Sequence, residues 1–349
     1  MTAGWSTTTE AATAAPYTYR TEDVAVDGGT LRVGVWEPDG GAGAAESGGT
    51  VLAVHGITAS HMAWPDVVAA LPGRRVIAPD LRGRGRSNGL GGPYGMARHA
   101  DDLAAVVRAL CTGTGAGGEG TAVSDGVPRP GRVTVVGHSM GGFVGLVLAH
   151  RHPDLVERLV LVDGGLPLPP VPGVPEDATV EELLAALLGP AVERLSKVYA
   201  SREAYREFWR AHPAFADWTP TIERYVDYDL DEVGTDDARA TGPGESTGVA
   251  GFRPATSPDA VVGDSVDMTN GGDLVAALDA LAAGAFGPVT LLRAPRGLMA
   301  EPGGIYPEAV AAGWAEKIEP LTVRTVADVN HYSIIMSPVG VAAIAEAAR

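Results

Sequence analysis

The chain has 349 residues, enough for one large α/β domain carrying an insertion or for two smaller domains, and 45% hydrophobic with 20% charged residues suits a globular protein with a sizeable core. A formal charge of −17 argues against nucleic acid or an anionic membrane surface as partner and reads as an acidic, solubilising exterior. Cys111 is the single cysteine, which excludes intrachain disulfides and cysteine-based metal clusters and fits a reducing cytoplasm.

Residues 1–16 are rich in Thr and Ala and are expected to be disordered; they carry neither the basic nor the apolar region of a secretory signal. No run of apolar residues is long enough to span a bilayer. Two β-branched alternating runs, near Tyr17–Val26 and Leu31–Trp36, flank Asp27-Gly28-Gly29 and predict a hairpin. A Gly/Ala loop over 40–49 precedes a strand at Val51–Val54, a helix around Trp64–Leu71 and a strand at Arg75–Ala78. The glycine-rich loop 81–95 lacks the spacing of a dinucleotide or phosphate loop, so no cofactor is expected there. Ala97–Leu110 has helical apolar spacing, and 112–131 reads as a polar surface insertion. From 166 to 285 the pattern becomes helical, with many aromatics and charges. A strand at Pro288–Leu292, a helix at Pro307–Lys317, a strand at Leu321–Val326 and a helix at Val339–Ala348 close the chain. Short apolar strands alternating with helices predict an α/β fold with a mostly parallel sheet covered on both faces.

The stretch Val133–Gly142, VTVVGHSMGG, places Ser139 between Gly137 and Gly141 with an apolar strand before it and a helical segment after it. A serine on so sharp a strand-to-helix turn is strained, and flanking glycines let the two elements pass closely. The turn exposes the hydroxyl and leaves the Met140 N–H at a helix start, aimed where an oxyanion would form. Of the histidines, His55 reads as a loop-fixing group and His138 as a neighbour pointing away from the site. His61, His99, His150, His152 and His212 show no metal-ligand spacing, so no metal is expected. The aromatics between Tyr199 and Tyr228 read as core of the inserted segment more than as a ligand box.

His55-Gly56, the run Asp80-Leu81-Arg82-Gly83 with Gly85 and Ser87, GHSMGG and Asn330-His331 each follow a predicted strand, and as an ordered set this resembles the α/β-hydrolase family. The resemblance implies an α/β-hydrolase core over 17–165 and 286–349, with 166–285 as a helical cap between the sixth and seventh strands. It implies Ser139 as nucleophile, His331 as general base, and the Ile57 and Met140 N–H groups as oxyanion hole. Relatives that open epoxides or carbon–halogen bonds carry aspartate where this chain has Ser139. The expected reaction is hydrolysis of a carboxylic ester or lactone of a partly apolar small molecule through an acyl-serine, without metal or cofactor. The same machinery serves thioesters. Carbon–carbon bond hydrolases and cofactor-free haloperoxidases resemble the chain at SMGG, and a non-catalytic ligand receptor on the same fold is a further alternative.

The triad acid has two candidates. The family pattern puts an aspartate a few residues past the seventh strand, but Arg293–Met299 carries no carboxylate and the first acid is Glu301, on a loop with Pro302, Gly303 and Gly304. Asp163 directly follows the sixth strand, where a carboxylate is held rigidly on the carboxyl edge of the sheet. Asp163 is therefore preferred over Glu301.

Overall fold

The computed structural model describes residues 17–39, 49–111, 131–170, 173–175, 178, 182, 189–234 and 250–349. The expectations for residues 1–16, for most of the loop 40–49 and for 112–130 lie outside them.

Ten strands form among the described residues: β1 (Tyr17–Val26), β2 (Gly29–Pro38), β3 (Thr50–Val54), β4 (Arg75–Pro79), β5 (Val133–His138), β6 (Val156–Val162), β7 (Leu230–Val233), β8 (Gly251–Pro254), β9 (Val289–Arg293) and β10 (Leu321–Thr325). Eight of them make one sheet in the order β1-β2-β4-β3-β5-β6-β9-β10. The β1–β2 hairpin and the β2–β4 pair are antiparallel, and every other pair in this sheet is parallel. Gly28 turns the hairpin at φ 87, a left-handed backbone that a side chain would resist. The central strands β3, β4 and β5 are buried along their whole length, as parallel strands between two layers must be.

Alternation along β3 sorts the core into two clusters. Leu52 and Val54 pack with helices α2 (Met96–Leu110) and α3 (Met140–Arg151), whereas Val51 and Ala53 face the opposite layer, with α1 (Pro65–Ala69) and the C-terminal helix (Pro338–Ala347). The chain runs from β3 outward to β4, then crosses back over β3 to β5. The strand order therefore reverses between β3 and β5. A crevice opens beyond the carboxyl ends of two parallel strands where their connections part in this way, and here those ends are His55 and Ser139.

Between Val162 and Val289 the described chain adds no strand to this sheet. It forms α4 (Arg202–Arg210), α5 (Pro220–Tyr228), α6 (Pro258–Asn270) and α7 (Gly272–Ala282). The segment is not all helical, as the sequence had suggested. β7 and β8 pair antiparallel within it, with Leu230 and Val233 turned inward and Asp231 and Glu232 between them. That four-residue alternation is too short to stand out in a sequence window. Leu274, Ala277 and Leu281 of α7 pack in the same cluster as α3, so this helix covers the main sheet. Helices α8 (Glu308–Lys317) and α9 (Pro338–Ala347) complete the two layers.

Candidate active site

β5 ends at His138, α3 begins at Met140, and Ser139 between them has φ 54 and ψ −124, a left-handed backbone on a residue with a side chain. Such strain persists only where the surroundings over-determine it. Here the Ser139 N–H donates to the Val162 carbonyl at 2.9 Å and its own carbonyl accepts from Gly142 N at 2.9 Å. A side chain at Gly141 would run into the Val54 carbonyl, and one at Gly164 would strike the backbone of Ser139 itself. The turn is thus wedged between β3 and the end of β6, with no room beyond hydrogen.

Asp163, the residue after β6, also has a positive φ, 47. Its N–H donates to the Leu292 carbonyl at 2.7 Å, and its Oδ1 accepts from Ala294 N at 3.0 Å. Oδ2 lies 2.8 Å from His331 Nδ1, and both side chains are buried. A carboxylate only accepts, so Nδ1 carries the proton and Nε2 is left as the basic nitrogen. Glu301 is elsewhere: it folds into its own turn, accepting from Met299 N at 2.7 Å through Oε2 while its carbonyl takes the Gly297 N–H. The structure thus brings Asp163 and His331 together and leaves Glu301 on an exposed loop.

His55 donates from Nδ1 to the Gly56 carbonyl at 2.7 Å and accepts at Nε2 from Leu81 N at 2.9 Å, tying the loop after β3 to the loop after β4. Full burial pushes its pKa down to about 4, so the ring is neutral. Met140 is the first residue of α3, and its N–H therefore has no partner within the helix. Ile57 lies beside it on the cavity wall.

His138 does not point away from the site. Its ring lies 4.6 Å from that of His331, and Nε2 donates to the His331 carbonyl at 2.8 Å. The reason is strand parity: His138 follows Val136 onto the face that packs against Val329 and Tyr332, where the His331 loop sits. Burial, reinforced by the neighbouring His331, holds its pKa well below the usual histidine value.

Ser139, His331, Ile57 and Leu298 are shared by two adjoining lobes of one crevice. The first takes up about 640 Å³, counting space open to solvent, and is walled by Met140, Phe143, Asp163, Gly164, Leu168, Ser265, Met268, Thr269 and Ile305. Besides Ser139 its hydroxyls belong to Ser265 and Thr269, and both are occupied, Ser265 Oγ donating to Val261 O and Thr269 Oγ1 to Val266 O, each at 2.8 Å. The second lobe, about 430 Å³, is walled by Gly56, Thr58, Ala59, His138, Tyr225, Tyr332, Ile335 and Met336. Among the described residues no Lys or Arg lines either lobe. Of the inserted segment's aromatics only Tyr225 reaches this crevice. Trp209 is buried among Tyr205, Phe215 and Tyr332, and Trp218 lies under Arg210 with Nε1 on Glu223. Among the described residues no group of three His, Cys, Asp or Glu side chains is placed to hold a metal ion, and no helix is long and apolar enough to cross a membrane.

The sequence profile of the alpha/beta hydrolase family matches residues 51–344, from β3 into the last helix. The chain belongs to the alpha/beta hydrolase family. It is 32% identical over 182 residues to the lipase LipV of Mycobacterium tuberculosis, a match covering 52% of this chain and 56% of that one. It is 36% identical over 117 residues to a putative carbamate hydrolase, RutD, of Caulobacter, covering 33% and 37%. The match to an uncharacterised Mycobacterium tuberculosis protein is 35% over 144 residues, 41% of this chain. That alignment spans only 35% of the relative's length. In three dimensions the chain is similar to an E-2-(acetamidomethylene)succinate hydrolase at TM-score 0.63 and 21% identity, covering 94% of this chain and 98% of the other. At that identity the likeness is one of fold.

Beyond Ser139, His331, Asp163, Ile57 and Met140, sequence reasoning missed most of the residues that wall the two lobes. Leu168, Met268, Leu298 and Ile305 come from four separate stretches with no common spacing, and only the folded crevice assembles them.

Proposed function

We propose that this hydrolase cleaves a carboxylic ester or lactone of an uncharged, largely apolar small molecule through an acyl-serine, with Ser139, His331 and Asp163 as its triad. One observation carries the reading: a strained serine sits at a strand end, between two apolar lobes, beside a histidine whose Nδ1–H is bonded to a buried aspartate. His331 Nε2 takes the Ser139 proton as Oγ attacks the substrate carbonyl. The oxyanion that forms is received by the Ile57 and Met140 N–H groups, each such donor contributing about 3–4 kcal/mol in comparable sites. The tetrahedral species collapses, and His331 returns the proton to the departing alkoxide. Water then repeats the sequence on the acyl-serine and releases the acid. With a lactone the alcohol stays attached and the product is a hydroxy acid.

Two lobes on either side of the serine suit the two limbs of an ester. Among the described residues no cation lines the crevice, which favours an uncharged substrate over an anionic one such as a succinate. The inserted segment up to the end of α6 acts in this reading as a cap, lending Tyr225, Leu168, Ser265, Met268 and Thr269 to the walls, while α7 belongs to a layer of the core. The single cysteine supports a cytoplasmic site of action.

A fluorophosphonate probe should label the wild-type chain once and Ser139→Ala not at all. Incubation with neutral p-nitrophenyl esters and lactones, read by intact mass, should show an acyl adduct on the wild type. Label retained in Ser139→Ala, or turnover confined to dicarboxylate substrates, would overturn the proposal.

A further inference from the structure

The short loop after β3 is held at every carbonyl from Gly56 to Thr58. Gly56 O accepts from His55 Nδ1 and from Ala59 N at 3.2 Å. Ile57 O accepts from Arg84 Nε at 2.9 Å, and Thr58 O accepts from Arg194 Nη2 at 2.9 Å. Both arginines are fully buried, and each is neutralised by a buried carboxylate of the inserted segment: Arg84 pairs with Asp264, and Arg194 lies 3.1 Å from Asp229. Arg84 also reaches the other side of the hole, its Nη2 lying 3.9 Å from Met140 Sδ.

The carboxylates are themselves anchored. Asp264 accepts from Gly95 N at 2.6 Å and from His99 Nε2 at 3.0 Å, so α6 caps the start of α2 from another part of the chain. Asp229 accepts from the Tyr205 hydroxyl. A buried Arg–Asp pair is a weak stability device, because an apolar pair of the same volume often does as well. Two such pairs converging on consecutive carbonyls of one loop ask for a different reason. An oxyanion donor works only when its hydrogen points at the developing charge before the reaction begins. Fixing the peptides just beyond the Ile57 N–H removes the freedom that would let it turn away.

We propose that Arg84 and Arg194 are positioning residues that clamp the oxyanion loop, and that Asp264 and Asp229 make this clamp depend on the inserted segment being seated. The inserted segment then governs the chemical step as well as the shape of the crevice. The proposal rests on the acyl-transfer reading above.

The test is the full-length double variant Arg84→Met with Asp264→Asn, which removes the pair without stranding a buried charge and keeps an acceptor for Gly95 N. On p-nitrophenyl butyrate, kcat should fall about 10- to 100-fold with KM within about twofold, short of the 10²–10³ seen when a donor is deleted outright. Amide hydrogen exchange over residues 55–59 should quicken while the melting temperature stays within a few degrees. Unchanged kcat and unchanged exchange would overturn the clamp, as would a loss expressed in KM alone. Should the wild type turn over no ester, the exchange measurement still decides the clamp, and it is the acyl-transfer reading that fails.

Discussion

Two histidine–aspartate pairs in this molecule share one bond and differ in everything around it. In both, a buried imidazole Nδ1 stands 2.8 Å from a buried carboxylate oxygen, His331 on Asp163 and His61 on Asp80. The Asp80 carboxylate is saturated, accepting in addition from His61 N, Arg86 N and the Tyr228 hydroxyl, and His61 Nε2 is taken by the Tyr19 hydroxyl at 2.7 Å. It knots β1, the loop after β4 and α5 together. The Asp163–His331 pair borders the crevice that Ser139 shares. A His–Asp bond is therefore no signature of catalysis; an open nitrogen facing a cavity is what separates a reactive pair from a structural one.

The sharpest way to break that contrast is to treat the two aspartates alike. Asp163→Asn should lower kcat by about 10⁴, the size of a wrong-tautomer triad, with little change in melting temperature. Asp80→Ala should do the reverse, costing about 3–5 kcal/mol in a denaturant titration by stranding a buried partner, while folded molecules retain most of their turnover. A collapse of turnover in Asp80→Ala at full folding, or none in Asp163→Asn, would erase the distinction.

Acid distinguishes the surroundings next. His55 has its folded pKa depressed to about 4, against about 6.5 in an unfolded chain. The unfolded state binds the extra proton between those values. Stability is therefore complete above about pH 6.5 and declines as pH falls toward 4, by on the order of 3 kcal/mol. His138, also depressed, adds to the same decline. Melting temperature against pH should be shallower in His55→Asn than in the wild type, and equal slopes would show that His55 is not held neutral.

The smallest effect concerns the walls. Met268→Ala should widen the first lobe and shift ester preference toward longer chains by several-fold, with a modest fall in stability. Trp209→Ala, which opens a hole in a packed aromatic cluster, should cost about 3–5 kcal/mol and leave the substrate ranking alone. A competition assay across chain lengths, paired with melting curves, checks both.

What the sequence made legible follows the range of each constraint. The elbow is local: a strand, two glycines and a serine suffice to announce the turn. Strand ends are nearly as local, and Asp163 stood out against Glu301 because it touches a strand and Glu301 does not. The orientation of His138 was misread because its direction depends on which face the His331 loop occupies, 193 residues on. The β7–β8 pair and the contacts of Arg84 and Arg194 were invisible for the same reason, their partners lying well apart in the chain.

Placing the acid after β6 has one more consequence. Gly137 pairs with Leu161 and His138 with Val162, so Ser139 and Asp163 are the next step of one ladder, and the spacing between their backbones is that of neighbouring strands. The loop from Ala294 to Pro307, relieved of carrying a charge to the histidine, delivers Leu298 and Ile305 to the crevice instead. In the proposed reading this loop, a wall that carries no member of the triad, can be lengthened, shortened or rewritten while Ser139 and Asp163 keep their register.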